Sequence, residues 1–165
     1  MKLRSFSYRD RIALVTVPGI LAAGFLIGQV SDSGYGNPWF DTLAKPAAMP
    51  PGWVFGLVWS ILYAVLGIVL ATLFASAPSR ARSLALALFL AQLGLNFSWS
   101  PLFFTGHRIG PAFIVLAAMM SLSLAATGVI AGISRSAARL MLPYLCWLSF
   151  AGYLNLEIWR MNPAG

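Results

Sequence analysis

The residues able to do covalent or acid–base chemistry are few. The chain of 165 residues has four acids, one histidine and one cysteine. Among Asp10, Asp32, Asp41 and Glu157, none forms a pair with evident general acid–base spacing. Glu157 and Arg160 have the i,i+3 spacing of a helical ion pair, which reads as interfacial anchoring. His107 sits in a short polar connection and reads as loop solvation; Cys146 sits in an apolar run and reads as a small packed side chain. No catalytic residue, metal site or cofactor is assigned. No phosphate-cradling glycine loop or nucleophile elbow occurs, which excludes an ATP-driven pump and the common hydrolases. Aromatic rings and side-chain amides remain, above all Trp39, Trp59, Tyr63, Gln92, Asn96, Trp99, Trp147 and Asn155. Their chemistry is non-covalent: ring faces for stacking, and a few hydrogen bonds to orient a guest.

These side chains must be positioned by membrane helices. The chain is 59% hydrophobic and 9% charged, with mean hydropathy +0.81, whereas soluble domains carry roughly 25% charged residues. Apolar stretches at about 12–30, 53–77, 83–105, 109–133 and 140–159 each approach the ~20 residues that cross a bilayer. Period-two alternation is absent, so these are helices rather than barrel strands. The first is too long for a signal-peptide core and lacks a small-residue cleavage site, so it is expected to be retained. The expected fold is an all-α membrane protein: one domain over 1–165, five transmembrane helices, and a long loop between the first two. Lys2, Arg4, Arg9, Arg11, Arg80, Arg82, Arg135 and Arg139 fall on one side; Lys45, Arg108 and Arg160 fall on the other. In a bacterial inner membrane that asymmetry puts the N-terminus in the cytoplasm. Orientation also accounts for the +7 net charge; no basic face with interleaved aromatics suggests nucleic acid.

The loop at 31–52 holds Trp39, Phe40, Lys45-Pro46 and Pro50-Pro51-Gly52. Proline stiffens it, and a stiff aromatic loop against a membrane helix reads as a lid over a pocket. The second helix aligns Phe55, Trp59, Tyr63, Leu66 and Leu70 on one stripe, either a packing seam or a pocket wall. The third aligns Gln92, Asn96, Trp99 and Phe103, with Pro101 interrupting the ladder. Its amides either bond neighbouring helices or point into a cavity. The fifth places Tyr144, Trp147, Leu148, Ala151 and Asn155 on one face. Small residues recur at Gly24-x-x-x-Gly28, at Ala87-x-x-x-Ala91 with Gly94, and along Ala118, Ser121, Ala125, Gly128 and Gly132. Each permits close helix approach, internal or between copies; the third helix is the chosen candidate for a homodimer contact.

Three blocks resemble the translocator protein family, also called tryptophan-rich sensory proteins or peripheral benzodiazepine receptors. They are Trp39, Lys45-Pro46, Pro50-Pro51, Trp53, Phe55, Trp59 and Leu62-Tyr63; then Gln92-Leu93, Leu95-Asn96, Trp99, Pro101 and Phe103-Phe104; then Pro143-Tyr144-Leu145, Trp147, Phe150-Ala151, Leu154-Asn155 and Trp159-Arg160. The resemblance implies a five-helix bundle whose first loop closes a pocket. It also implies affinity for porphyrins, sterols and isoquinoline- or benzodiazepine-type ligands. For some members it implies light-dependent breakdown of protoporphyrin, with Trp59 and Trp147 at the matching positions. Asn96 matches the pocket amide, and Ala151 the small position where bulk perturbs binding. The expected ligand-binding set is Trp39, Phe40, Trp59, Tyr63, Asn96, Trp99, Trp147, Phe150 and Ala151. Leu156 replaces a common aromatic, and Tyr153 lies one residue too far from Arg160 for the sterol pattern, so a sterol is a doubtful partner. Pro111 replaces a pocket tryptophan of some relatives. The leading expectation is a receptor or carrier for a tetrapyrrole. The alternatives are a light-dependent porphyrin-degrading activity in the same pocket, or a structural protein whose aromatics only pack.

Overall fold

A computed structural model describes residues 7–163, and among them the only regular structure is helical. Lys2 and Arg4, counted above for orientation, lie outside the described residues. The helices are α1 (Tyr8–Val30), α2 (Pro38–Thr42), α3 (Gly52–Ala75), α4 (Arg80–Ser100), α5 (Ile109–Ile133) and α6 (Arg135–Met161). Four of the long helices are apolar enough over their length to cross a membrane; α4 does so together with the π-helical turn Pro101–Thr105 that continues it. The fifth, α6, carries its polar groups on particular faces and packs against α5 and α3.

Several helices start earlier than the apolar stretches do. A capping box of Ser7 and Asp10 starts α1 at Tyr8; Ser79 and Ser134 cap α4 and α6 through the backbone N–H groups of Arg82 and Ala137. Each serine oxygen satisfies an amide that the first helical turn leaves unpaired, so polar residues ahead of the span join the helix. At the other end, α3 stops at Ala75, two residues short of expectation, because Pro78 disfavours helix at its predecessor. Arg82 closes that end by donating to the Leu73 and Phe74 carbonyls at 2.9 and 3.1 Å. Pro101 does not end its helix: the turn widens, with the Gly106 N–H donating to the Pro101 carbonyl at 2.8 Å. The widening brings consecutive Phe103 and Phe104 both inward.

Around the bundle the order is α1, α3, α6, α5, α4, with α1 touching α4 only sparingly. The inner half of the bundle, at the end where α3 connects to α4 and α5 to α6, is solid. Leu66, Val69, Leu73, Phe89, Ala126, Ile130 and Met141 are fully buried there. Gly67 lets α1 lie directly on α3: a Cβ at Gly67 would stand 2.6 Å from the Val17 Cα, and Thr16 donates to the Gly67 carbonyl at 2.7 Å. A second apolar cluster of Phe40, Phe103, Phe104, Ile109, Ala112 and Ile158 closes the outer end.

The small-residue stripes serve differently from one another. Gly94, Gly128 and Gly132 meet no neighbouring atom within 4 Å and face outward, as do Ala87, Ala91, Ala118 and Ala125. Cys146 is also exposed on the outer surface of α6, which corrects its reading as a packed side chain. Helix rotation explains this: Tyr144, Leu148 and Asn155 take the buried stripe, and position 146 falls outside it.

Candidate ligand-binding site

Between the solid inner half and the outer cluster lies a cavity of about 890 Å³, within the roughly 300–1,000 Å³ usual for small-molecule sites. The first three turns of α3 supply Phe55, Trp59 and Tyr63; α6 supplies Trp147, Ala151, Leu154, Asn155 and Ile158. Asn96, Trp99 and Ser100 come from α4, Phe103 and Phe104 from its π turn, Leu116 and Met119 from α5, and Gly24, Phe25, Gly28 and Gln29 from α1. The indoles of Trp59 and Trp147 meet edge to face at 6.5 Å, and Trp59 lies 5.1 Å from the Tyr63 ring. Gly24 makes room for Tyr63, since a Cβ there would enter the phenol ring. The α3 stripe is therefore both things at once: Phe55, Trp59 and Tyr63 form a wall, and Leu66 and Leu70 below them form a packed seam.

A hydrogen-bonded chain fixes the floor. Tyr63 donates to Asn96 Oδ1 at 3.0 Å, and Asn96 Nδ2 donates to the Tyr144 hydroxyl at 3.3 Å. Tyr144 donates to Gln92 Oε1 at 2.6 Å, where Ser123 also donates at 3.3 Å. Both sequence readings of the amides are thus realised, one on each: Gln92 is buried helix-to-helix glue, while Asn96 also lines the cavity. Nearer the mouth, Trp99 Nε1 donates to Asn155 Oδ1 at 3.1 Å, and Asn155 Nδ2 donates to the Ile109 carbonyl at 3.0 Å. Two buried donors, Gln92 Nε2 and Trp147 Nε1, find no partner among the described residues.

The loop covers the outer end. After α1, Asp32 takes a left-handed conformation (φ 50°), and Ser33 N–H donates back to the Gly28 carbonyl at 2.9 Å. Contrary to a loop without helix, Asn37 caps the short α2, where Pro38 occupies the first position that tolerates proline. That turn drives Phe40 inward to 2% exposure, against Phe103 and Phe104. Lys45 does not face the cavity. Its Nζ donates to the Phe40 and Leu43 carbonyls at 2.6 and 3.1 Å, closing the end of α2. The Ala44 peptide and the Asn162 amide exchange two hydrogen bonds of 3.0 Å, tying the loop to the end of α6.

Of the residues singled out from sequence, Phe40, Trp59, Tyr63, Asn96, Trp99, Trp147 and Ala151 come together around the cavity. Trp39 stands outside it, stacked on His107 at 4.3 Å and edge-on to Phe103 at 5.5 Å, so it braces the lid from behind. His107 is consequently a stacking partner as well as an exposed loop residue. Phe150, about 100° around the helix from Ala151, lies with Cys146 and Pro143 in a shallow outer groove facing Val58 and Ile61. Tyr35, Met49, Leu116 and Met119 also line the cavity; nothing in their local spacing marked them. Glu157 and Arg160 pair at 3.0 Å as the spacing suggested.

The TspO/MBR family model matches residues 14–160. The chain belongs to the TspO/MBR family. It is similar to the translocator protein of Homo sapiens, 36% identical over 141 residues, covering 84% of this chain and 83% of the human one. The tryptophan-rich protein TspO of Chlorobaculum tepidum is 36% identical over 145 residues, covering 87% and 90%. The tryptophan-rich sensory protein of Cereibacter sphaeroides is 35% identical over 126 residues, covering 76% and 78%. As a TspO/MBR member with several membrane-spanning helices, this is a multi-pass integral membrane protein with a five-helix bundle.

Proposed function

We propose that this TspO/MBR protein is a membrane receptor or carrier that takes a porphyrin-type or other planar apolar ligand into its cavity. In that reading it senses or regulates the handling or transport of tetrapyrroles. The observation that carries it is the cavity itself: about 890 Å³ under a closed loop, walled by Trp59, Trp147, Phe55 and Tyr63. A structural protein whose aromatics only pack has no use for such a space. Each ring that stacks on a guest contributes ~0.5–1.5 kcal/mol beyond area burial, so affinity near micromolar, about −8 kcal/mol, needs no covalent bond.

Tryptophan fluorescence titrated with protoporphyrin tests the proposal. Saturable quenching is expected, weakened about tenfold by Trp59→Ala or Ala151→Thr. Quenching that neither substitution alters would overturn the placement of the site.

The pairing of Trp59 and Trp147 on one wall also supports a second reading, in which the indoles give electrons to illuminated protoporphyrin. Trp59→Phe combined with Trp147→Phe then abolishes light-dependent loss of the porphyrin while binding persists; loss no faster than for free porphyrin in detergent would sink it. For assembly, the outward stripe of Ala87, Ala91 and Gly94 on α4 supports a homodimer. The end bearing Arg9, Arg11, Arg80, Arg82, Arg135 and Arg139 is the cytoplasmic one if the membrane is a bacterial inner membrane.

A further inference from the structure

We infer that the corner formed by Gln29, Ser33 and Ser100 is a subsite for ionised carboxylates carried on one edge of a planar guest, an inference that rests on the ligand-binding reading above. Among the described residues, no charged side chain lines the cavity. Lys45, the lysine of the lid, is turned away and spends its ammonium on backbone carbonyls. The deeper amides offer little more, since Asn96 and Asn155 each already donate one N–H and accept one hydrogen bond within the protein and neither carries a charge. A carboxylate pushed toward Leu116 and Met119 would lose its hydration and gain no counter-charge, a penalty of several kcal/mol or more. An acidic edge is therefore confined to a place where water and neutral donors reach it.

The mouth offers one such place. Over α5 and α6 it is sealed by Phe40 and by the pair of hydrogen bonds between Ala44 and Asn162. Over α3, Tyr35 packs on Gly52 and donates to the Pro50 carbonyl at 3.2 Å. At the remaining side α1 and α4 barely touch, and there Gln29, Ser33 and Ser100 line the cavity at the outer ends of their elements. Gln29 and Ser33 are exposed, and the Ser33 and Ser100 hydroxyls hydrogen-bond to each other. That bond uses one hydrogen and leaves the second hydroxyl hydrogen and the Gln29 amide free to donate outward. Asn96 lies one helical turn below Ser100, about 6 Å along the axis, so a flat ring reaching the indoles leaves its acidic edge level with the corner. The guest class is an amphiphile with its acids on a single edge.

The test compares protoporphyrin IX with its dimethyl ester by tryptophan quenching, using full-length protein in nanodiscs of zwitterionic lipid. Gln29→Lys places a cation at the corner. It is expected to tighten the diacid about tenfold more than the ester and to make the affinity for the diacid, but not that for the ester, weaken with added salt. Gln29→Leu is expected to weaken the diacid about threefold more than the ester. Because Gln29 is exposed near a helix end, neither change threatens folding, and the ester serves as the internal control in both proteins. The inference is overturned if Gln29→Lys moves neither ligand or moves both alike. It is equally overturned if wild-type affinity for the diacid already falls steeply with salt, which would mean a cation holds the acids elsewhere. If neither ligand quenches the wild type, the ligand-binding reading itself fails.

Discussion

The inner and outer halves of this bundle are made from the same helices yet packed to opposite ends. In the inner half, aliphatic side chains interdigitate and Gly67 brings α1 against α3 with backbone on backbone. In the outer half the same two helices border a void, where Gly28 and Gly56 meet no atom within 4 Å of a would-be Cβ. Bilayer lipid is as apolar as leucine, so helices in it are held by close packing and hydrogen bonds rather than by exclusion from water. A region that keeps empty space gives up those contacts. The stability of the fold is accordingly expected to come mainly from the inner half and from the hydrogen-bonded belt of Tyr63, Asn96, Tyr144 and Gln92 at the boundary, with the aromatic cluster of Phe40, Phe103 and Phe104 closing the outer end. The outer half is then free to enclose a cavity.

The strongest way to break this contrast is Gly67→Leu. Its Cβ would meet the Val17 backbone, which cannot yield without moving α1. A loss of about 3 kcal/mol or more is expected, read as a drop of roughly 6–12 °C in melting temperature by circular dichroism in detergent. A melting point within a degree of wild type would mean that the inner half is not the packed half. Next comes Tyr144→Phe, which strips one partner each from Gln92 and Asn96. About 1 kcal/mol of stability should go, and porphyrin affinity should fall with it as Asn96 loosens; unchanged values for both would remove the belt from the argument.

Smaller and confined to the outer half is the effect of Asn162→Ala. Losing the two bonds to Ala44 should speed hydrogen exchange across residues 38–46 several-fold while the melting temperature stays put. Protection that stays unchanged would show the loop to be held by its aromatic contacts alone. The smallest effect is expected for Gly28→Ala, within about 0.5 kcal/mol of wild type. A penalty comparable to that at Gly67 would erase the distinction between the halves.

Much of the fold was legible because membrane spans announce themselves by length and apolarity. Most boundary inaccuracies lay at helix starts, where hydropathy measures the lipid-embedded part while Ser7, Ser79 and Ser134 act on the unpaired amides of the first turn; the early stop of α3 at Ala75 is the exception. Those serines were readable as caps. Periodicity also ranked the faces of α3 and α6 correctly, because 100° per residue is a property of the backbone alone. It could not say how far a face stays a pocket wall before it becomes a seam. Phe55 and Leu66 share a stripe, yet one borders a void and the other is buried among neighbours.

The chain by itself determined that it must lie in a membrane as a handful of helices, since lipid leaves a backbone no other way to satisfy its hydrogen bonds. It also determined which rings and amides were available, through their order and spacing. Only the tertiary arrangement decided that Trp39 braces from behind while Phe40 faces in, that Lys45 holds carbonyls instead of a guest, and that small residues on α1 border a cavity while those on α5 face outward. Those outcomes depend on which surfaces meet across the bundle, and such meetings join residues far apart in sequence, beyond the reach of any local pattern.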